Sequence, residues 1–212
     1  MNPNASEQDK QTWIRHTLYL ALLTALYHSL QFLAGLALFG RTHSAALMTY
    51  ALDAIISAPA ALILAARIAR HNRIDILGIE ERWRFRAVAA GYMAGSLVAL
   101  YLGTAQLWRG EHAEPNILGI GLAAVSMLAI PIIGSYMKVL AVELRSQTLK
   151  NAAIFTFGNS YLSLVLLISQ LMSIGMALPW GDALGAVVMF PFMMQKGIQI
   201  LLDEGKHEYI EE

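Results

Sequence analysis

The stretch THSAALMTYALDAIISAPAALILAARIAR, residues 42–70, decides the fold class of this chain. It is apolar and long enough to cross a bilayer, since a spanning helix needs roughly 20 mostly apolar residues. Near its middle lies Asp53. An ionised carboxylate at that depth costs about 2.5–3.5 kcal/mol on insertion scales, so it is usually paired, protonated or next to a polar cavity.

Two more polar residues lie one helical turn to either side of Asp53. Thr49 comes four residues before it and Ser57 four residues after it, so all three share one face of the helix. This face is predicted to point into the protein and away from lipid. Two interpretations follow: the face is one wall of a cation or proton site, or Asp53 is held neutral by hydrogen bonds to neighbouring helices.

The composition of the whole chain supports a membrane protein. Of its 212 residues, 57% are hydrophobic and 14% are charged, whereas a soluble domain has about 25% charged residues. The formal net charge is zero, which argues against a nucleic-acid partner because there is no excess positive field. The absence of cysteine excludes disulfides, thiolate metal ligands and lipidated cysteines.

Six apolar runs predict an all-α polytopic membrane protein with six transmembrane helices in a single domain, residues 1–212. Each run is long enough to approach or exceed the spanning minimum. The first lacks a signal-peptide cleavage pattern and is expected to be retained. The connections are short, so we expect only short ends, residues 1–12 and 203–212, and no C-terminal cytoplasmic domain. The runs cover about 14–40, 44–66, 85–107, 116–140, 150–177 and 183–202.

The basic residues predict the orientation of the chain. With six spans, both ends of the chain lie on one side of the membrane. That side holds all of the 15 Lys and Arg residues except Arg41 and Arg109, and Lys196 is assigned to it as well. Positive charge is enriched in cytoplasmic loops, so both termini are predicted to be cytoplasmic. Short polar ends and positive loops are typical of a bacterial inner (plasma) membrane.

The first span carries a possible partner for Asp53. His28 and Gln31 are three residues apart and share one face. Counted at 1.5 Å per residue from the outer ends of their helices, His28 and Asp53 lie at a similar depth. His28 is interpreted either as a proton-accepting partner of Asp53 or as a member of an inter-helix hydrogen bond.

The fifth and sixth spans carry further polar residues. Asn159 and Ser163 are four residues apart, with Phe155 one turn before them. Asn159 is interpreted either as a cation ligand through its amide oxygen or as an inter-helix hydrogen-bonding group. Asp182 opens the sixth span and is predicted to cap the free backbone amides at its start.

Several segments resemble the transmembrane half of the cation diffusion facilitator family. Residues 42–70 look like the second span of that family, and HNRIDILGIEERWRF, residues 71–85, looks like its loop into the third span. SQTLKNAAIFTFGNSYLSLVLLIS, residues 146–169, is similar to the fifth span. PWGDALGAVVMFPFMMQKGIQILLDE, residues 179–204, is similar to the sixth span, including the Asp that opens it.

The resemblance implies a metal site between the second and fifth spans. In that family each of these spans carries a His or Asp followed four residues later by Asp, whereas here the pairs are Asp53 with Ser57 and Phe155 with Asn159. Asp53, Ser57 and Asn159 are therefore the expected metal ligands, with His28 as a substitute ligand. One carboxylate with neutral oxygens suits a harder cation or a proton better than zinc.

The resemblance also implies a function. Members of the family export divalent metals in exchange for protons, so we expect a homodimeric secondary carrier for a divalent cation, with no further cofactor. The missing ligands motivate an alternative, a non-transporting relative that acts as a regulatory or assembly partner in the membrane. An enzyme is not expected, because the polar loop 71–86 shows no recognisable nucleophile or metal-ligand spacing.

Overall fold

The computed structural model describes residues 7–71, 79–114, 116–175 and 178–204, and these ranges contain six long helices and no strand. Each helix is long and apolar enough to cross a membrane, which confirms the predicted six-span fold class. The helices are α1 (Glu7–Thr42), α2 (Ala45–His71), α3 (Ile79–Arg109), α4 (Ile117–Glu143), α5 (Gln147–Gly175) and α6 (Gly181–Glu204).

Most helices are longer than the apolar runs that predicted them. α1 begins at Glu7 and α3 at Ile79, each about six residues before the predicted span, because a helix continues into polar sequence where hydropathy no longer marks it. The predicted polar ends are described only in part, since residues 1–6 and 205–212 lie outside the described ranges. Residues 72–78, in the loop before the third span, and residues 176–177, at the end of the fifth predicted span, also lie outside the described ranges.

Polar side chains begin three of the helices after short connections. Ser44 follows His43, whose φ of 52° turns the chain, and its Oγ accepts a hydrogen bond from the Leu47 amide at 3.0 Å. The Asn116 side chain accepts from the Leu118 amide at 2.8 Å at the start of α4. Ser146 does the same for the Leu149 amide at 3.1 Å at the start of α5. Each such cap satisfies an amide that the first helical turn leaves free.

The helices form three closely packed pairs around a central helix. α1 packs on α2, α3 on α6, and α4 on α5, while α2 also contacts α3, α5 and α6. Half of the apolar window of α2 is buried inside the protein, compared with 33–39% for the other five spans. The helix that carries Asp53 is therefore the one most removed from lipid.

Glycines set the close approach of α3 and α6. A Cβ atom on Gly103 would lie 2.7 Å from the Ala183 carbonyl oxygen and 2.8 Å from the Val187 side chain. A Cβ atom on Gly197 would lie 2.8 Å from the Met93 side chain. Small residues at such contacts let two helices approach more closely than larger side chains allow. This tight contact holds α6 against α3 beside α2.

Two apolar clusters lie on either side of the polar centre of the bundle. One joins the N-terminal halves of α1 and α5 to the C-terminal halves of α2 and α4, and it includes Ala21, Leu64, Ile133, Met137, Leu149 and Ala153. The other joins the first half of α2 to α3, α4, α5 and α6, and it includes Leu47, Tyr50, Tyr92, Leu162, Leu166 and Met193. The polar residues between them are described next.

We expect Gly103→Ala to lower the stability of the protein by about 1–3 kcal/mol, the usual cost of overpacking a tight contact. The added methyl group meets backbone atoms of α6, which cannot rotate away. Gly121→Ala is the matched control, because a Cβ atom there has no neighbour within 4 Å. Alanine also has a higher helix propensity than glycine. Thermal unfolding in detergent checks the prediction, and equal melting temperatures for the two variants would contradict it.

Candidate cation site

Asp53 lies inside the bundle and is paired with a basic residue of another helix. Its side chain is completely buried on α2, and Oδ1 lies 2.6 Å from the Nζ atom of Lys196 on α6. Its second oxygen, Oδ2, has no hydrogen-bond partner among the described residues. A buried carboxylate requires a cationic partner such as Lys196, since removal of one member of a buried pair leaves an uncompensated charge.

Lys196 is the member of the site that the sequence analysis missed. Its Nζ donates to Asp53 and to the Asn159 side-chain oxygen, and it lies 5.3 Å from the centre of the Tyr92 ring. The residue is 5% exposed. Its earlier assignment to the basic residues of the cytoplasmic side was therefore wrong, because its side chain points into the bundle. A lone lysine inside an apolar span was the signal available in the sequence.

The amide of Asn159 joins the ion pair to α1 and α2. Its oxygen accepts from Lys196, and its nitrogen lies 3.3 Å from His28 Nε2 and 3.4 Å from Ser57 Oγ. This orientation is consistent with the charges, because the reverse would place the NH₂ group against the ammonium. The interpretation of Asn159 as an inter-helix hydrogen-bonding group is thus confirmed, and its oxygen also faces the one cation of the site.

His28 reaches Asp53 only through intermediates. Its Nδ1 lies 3.1 Å from the Gln31 side-chain oxygen, which is an acceptor, so Nδ1 carries the proton in the neutral ring. The unprotonated Nε2 then accepts from Asn159 at 3.3 Å. The inter-helix hydrogen bond expected for His28 is confirmed, while no direct contact with Asp53 is found.

The two other members of the predicted polar face behave differently. Ser57 Oγ lies 2.7 Å from the Tyr92 hydroxyl, and so it connects α2 to α3. Thr49 Oγ1 donates to the Ala45 carbonyl of its own helix at 2.8 Å. The structure therefore connects Lys196 directly to Asp53 and Asn159, and to Ser57 and His28 through Asn159. Thr49 bonds within its own helix instead.

The donor atoms at this centre include a single carboxylate. Asp53 supplies the carboxylate, Asn159 and Ser57 supply neutral oxygens, and His28 supplies a ring nitrogen. Within the described ranges, no three His, Asp or Glu residues come close enough to hold a metal ion. This set is poor for a transition metal, which prefers several anionic or nitrogen ligands, and better for a hard cation.

A cavity leads to the site from one end of the bundle. Its volume is about 160 Å³, it ends at His28, Ser57 and Asn159, and its far end is lined by Arg67 and Asn151. Most of its remaining lining is apolar, and the space is sufficient for several water molecules. The inner part of the site is thus one hydrogen bond away from a cavity, because Asn159 lines the cavity and contacts Lys196.

A second cavity reaches Lys196 from the contact between α5 and α6. It has a volume of about 290 Å³ and is lined by Lys196, Gln195 and Gln199 of α6 and by Phe155 and Gly158 of α5, among others. Phe155 lines both cavities. The residue shared by the two cavities is thus the one at the position where the resemblance would place a metal ligand.

A separate polar cluster lies near the start of α2. Asp182 accepts from Ser44 Oγ, from the Ala46 amide at 3.4 Å and from Gln170 Nε2 at 3.0 Å. The prediction that Asp182 caps the start of its own helix requires correction, because these bonds go to the first turn of α2 and to α5. A helix start in the interior needs such acceptors, and a carboxylate also complements its dipole.

Comparison with known proteins adds no assignment. No model of a known protein family matches the chain, and no curated protein sequence matches it. The resemblance to the cation diffusion facilitator family therefore stays a prediction, and it depends only on the segments quoted from the sequence.

We expect Lys196→Met to destabilise the protein by about 3–5 kcal/mol, because it leaves Asp53 buried without a counter-charge. Asp53→Asn combined with Lys196→Met should recover most of this loss, since a neutral pair of similar volume is often tolerated. Unfolding of the two single variants and the double variant in detergent measures the coupling. Additive losses in the double variant would contradict a tightly coupled pair.

Proposed function

We propose that the protein is a secondary carrier that moves a small cation across the membrane in exchange for a proton. The observation that carries this proposal is the Asp53 carboxylate, buried within a spanning helix and bonded to a cationic group beside neutral oxygen donors. Ionisable residues within spans are costly, and those that persist usually mark an ion or proton pathway.

The two ends of the bundle differ in a way that supports a carrier. The cavity connects the site to the end that carries Arg67 and Asn151. Towards the start of α2, the bonds of Asp182 to Ser44 and Gln170 tie α6 to α2 and α5. A carrier alternates between states open to one side or the other, and this arrangement fits a state open at the cavity end.

The residues that could bind the cation bear on which cation is carried. The resemblance implies a divalent cation bound by Asp53, Ser57, Asn159 and His28, and this expectation remains a proposal. The homodimer also remains a proposal. The exposed apolar side chains do not support it specifically, because lipid covers such side chains equally well. Purified protein in liposomes can test the cation directly.

In proteoliposomes with an imposed pH gradient, we expect uptake of at least one ion from a panel of sodium, lithium, magnesium, manganese, iron(II), cobalt and zinc. Asp53→Asn should lower the uptake rate at least tenfold, because it removes the one carboxylate of the site. Uptake is followed with radioactive or ion-sensitive tracers at equal protein content.

Thr49→Val is the matched control for this substitution. Thr49 lies one turn from Asp53 on the same helix and is equally buried, but its hydroxyl donates to the Ala45 carbonyl of α2 itself. The control should keep near-normal uptake. Normal uptake by Asp53→Asn, with the protein folded, would overturn the proposed role of this carboxylate.

A second candidate function is favoured by the position of Lys196. Its ammonium already occupies the place between Asp53 and Asn159 that a transported cation would need. A permanently occupied site would suit a non-transporting regulatory or assembly partner. Absence of uptake for every ion, together with co-purification of a transporter with a complete metal site, would favour this function over the carrier.

The orientation is part of the same proposal. We propose a bacterial inner membrane with both termini in the cytoplasm, based on the basic residues near the ends and even-numbered connections. Lys196 no longer contributes to this asymmetry, but Arg145 and most other basic residues still do. The cavity would then face the cytoplasm.

Single cysteines can test this orientation, because the chain has no native cysteine. In intact cells, we expect an impermeant maleimide to label His112→Cys, in the connection after α3, without treatment. Arg145→Cys, in the connection after α4, should be labelled only after permeabilisation. Both side chains are exposed. The opposite pattern would reverse the orientation and place the cavity on the outer side.

A further inference from the structure

The cavity of about 160 Å³ carries a positive charge that the proposed carrier function does not use. Arg67 lines its far end and is completely buried, with its guanidinium 5.2 Å from the centre of the Phe85 ring. An arginine near the end of a span usually extends to the lipid headgroups, whereas this one is buried inside the protein. None of the described residues that line the cavity is an aspartate or a glutamate. The cavity therefore favours an anionic ligand.

Two neutral polar side chains add hydrogen-bond donors at this end of the cavity. Thr148 and Asn151, in the first two turns of α5, line the cavity together with Arg67. A guanidinium presents five N–H donors in a planar fork, enough for contacts within the protein and for a carboxylate bound through two parallel hydrogen bonds. The Thr148 hydroxyl and the Asn151 amide can each donate one more. A carboxylate, which accepts through both oxygens, matches this arrangement.

The rest of the cavity limits the size of the ligand. An apolar cavity of about 150 Å³ holds one benzene molecule, so this cavity has space for one aromatic ring and is too small for the acyl chains of a lipid. Most of its remaining lining is apolar and includes Leu64, Phe85, Val88, Met137, Ala152 and Phe155. The body of the ligand is therefore expected to be apolar and about as large as one ring.

The length of the cavity agrees with this size. Its inner end is marked by Ser57, whose Oγ lies 2.7 Å from the Tyr92 hydroxyl, and both residues line the cavity. Phe85, beside the Arg67 guanidinium, comes seven residues before Tyr92 on α3, which corresponds to roughly 10 Å along the helix axis. A benzene ring that bears one carboxylate spans about this length when its contacts are included.

We propose that this cavity binds a small aromatic monocarboxylate, of which benzoate is the simplest example. Arg67 holds the carboxylate through paired N–H donors, Asn151 and Thr148 add further hydrogen bonds, and the ring lies against the apolar lining. The ligand is an organic anion with a site of its own. This inference therefore goes beyond the proposed carrier function and does not depend on it.

Equilibrium dialysis of the full chain in lipid nanodiscs against radiolabelled benzoate at neutral pH tests the proposal, with empty nanodiscs as the blank. We expect saturable binding of one benzoate per chain, and its absence would overturn the proposal. Benzyl alcohol has the same ring without the charge and should not displace the benzoate. Displacement by benzyl alcohol as readily as by unlabelled benzoate would contradict a site built for an anion.

Decanoate separates a dissolved aromatic acid from a fatty acid of the bilayer, which bears the same carboxylate. Its chain exceeds the space in the cavity, so it should displace radiolabelled benzoate at least about tenfold less effectively than unlabelled benzoate does. Equal or stronger displacement by decanoate would overturn the assignment to a small aromatic acid.

Arg67→Gln should weaken benzoate binding by about tenfold or more, because a paired hydrogen bond between opposite charges is lost. Arg70→Gln is the matched control, since Arg70 lies three residues later on the same helix and is exposed. The control should bind benzoate as the wild type does. Equal binding by Arg67→Gln and the wild type would overturn the proposal.

Ala61→Leu tests the same site without altering Arg67, and so it decides the proposal even if Arg67→Gln does not fold. Ala61 lines the cavity, so a leucine there occupies the space of the ring and should weaken benzoate binding by about tenfold or more. Ala66→Leu, at an exposed position of α2, is its control and should bind normally. Normal binding by Ala61→Leu would place benzoate elsewhere and overturn the inference. Ion flux enters neither measurement, so the outcome is separate from that of the carrier function.

Discussion

The contact between Asp53 and Lys196, 2.6 Å long and buried inside the bundle, constrains the rest of the structure. Two ionisable groups inside a membrane-spanning bundle are tolerated only if they meet each other and are removed from lipid. This requirement explains why α2 is the most buried helix and why the small residues of α3 and α6, Gly103 and Gly197, hold α6 close.

The neutral residues around the pair extend it across the bundle. Asn159 connects it to α1 through His28, and Ser57 connects α2 to α3 through Tyr92. Together with Lys196 on α6, these side chains join five of the six described helices, α1, α2, α3, α5 and α6, in one polar network. Such a network fixes the relative position of its helices only while every member is bonded, so a change in the charge of one member affects all five.

Hydropathy and helical periodicity were sufficient to predict the fold and part of the site. Six apolar runs predicted six helices, and i, i+4 spacing placed Asp53 and Ser57 on one interior face. Lys196 was missed because a lysine near a span end usually extends to the headgroups. In α6 the Cα–Cβ bond points towards the helix N-terminus, which takes this side chain towards Asp53. The partner lies 143 residues away in sequence, and no single-span pattern contains that information.

The position of the Lys196 amine bears on both candidate functions. Lys196 supplies the counter-charge of Asp53 and occupies the place between Asp53 and Asn159, which suits a stable, non-transporting bundle. The same contact leaves Asp53 Oδ2 without a hydrogen-bond partner among the described residues, near the neutral side chains of Asn159 and Ser57, which suits a cation site. The cavity that ends at Asn159 lies one hydrogen bond from this amine. The contact that stabilises the bundle therefore lies next to a space that is large enough for water.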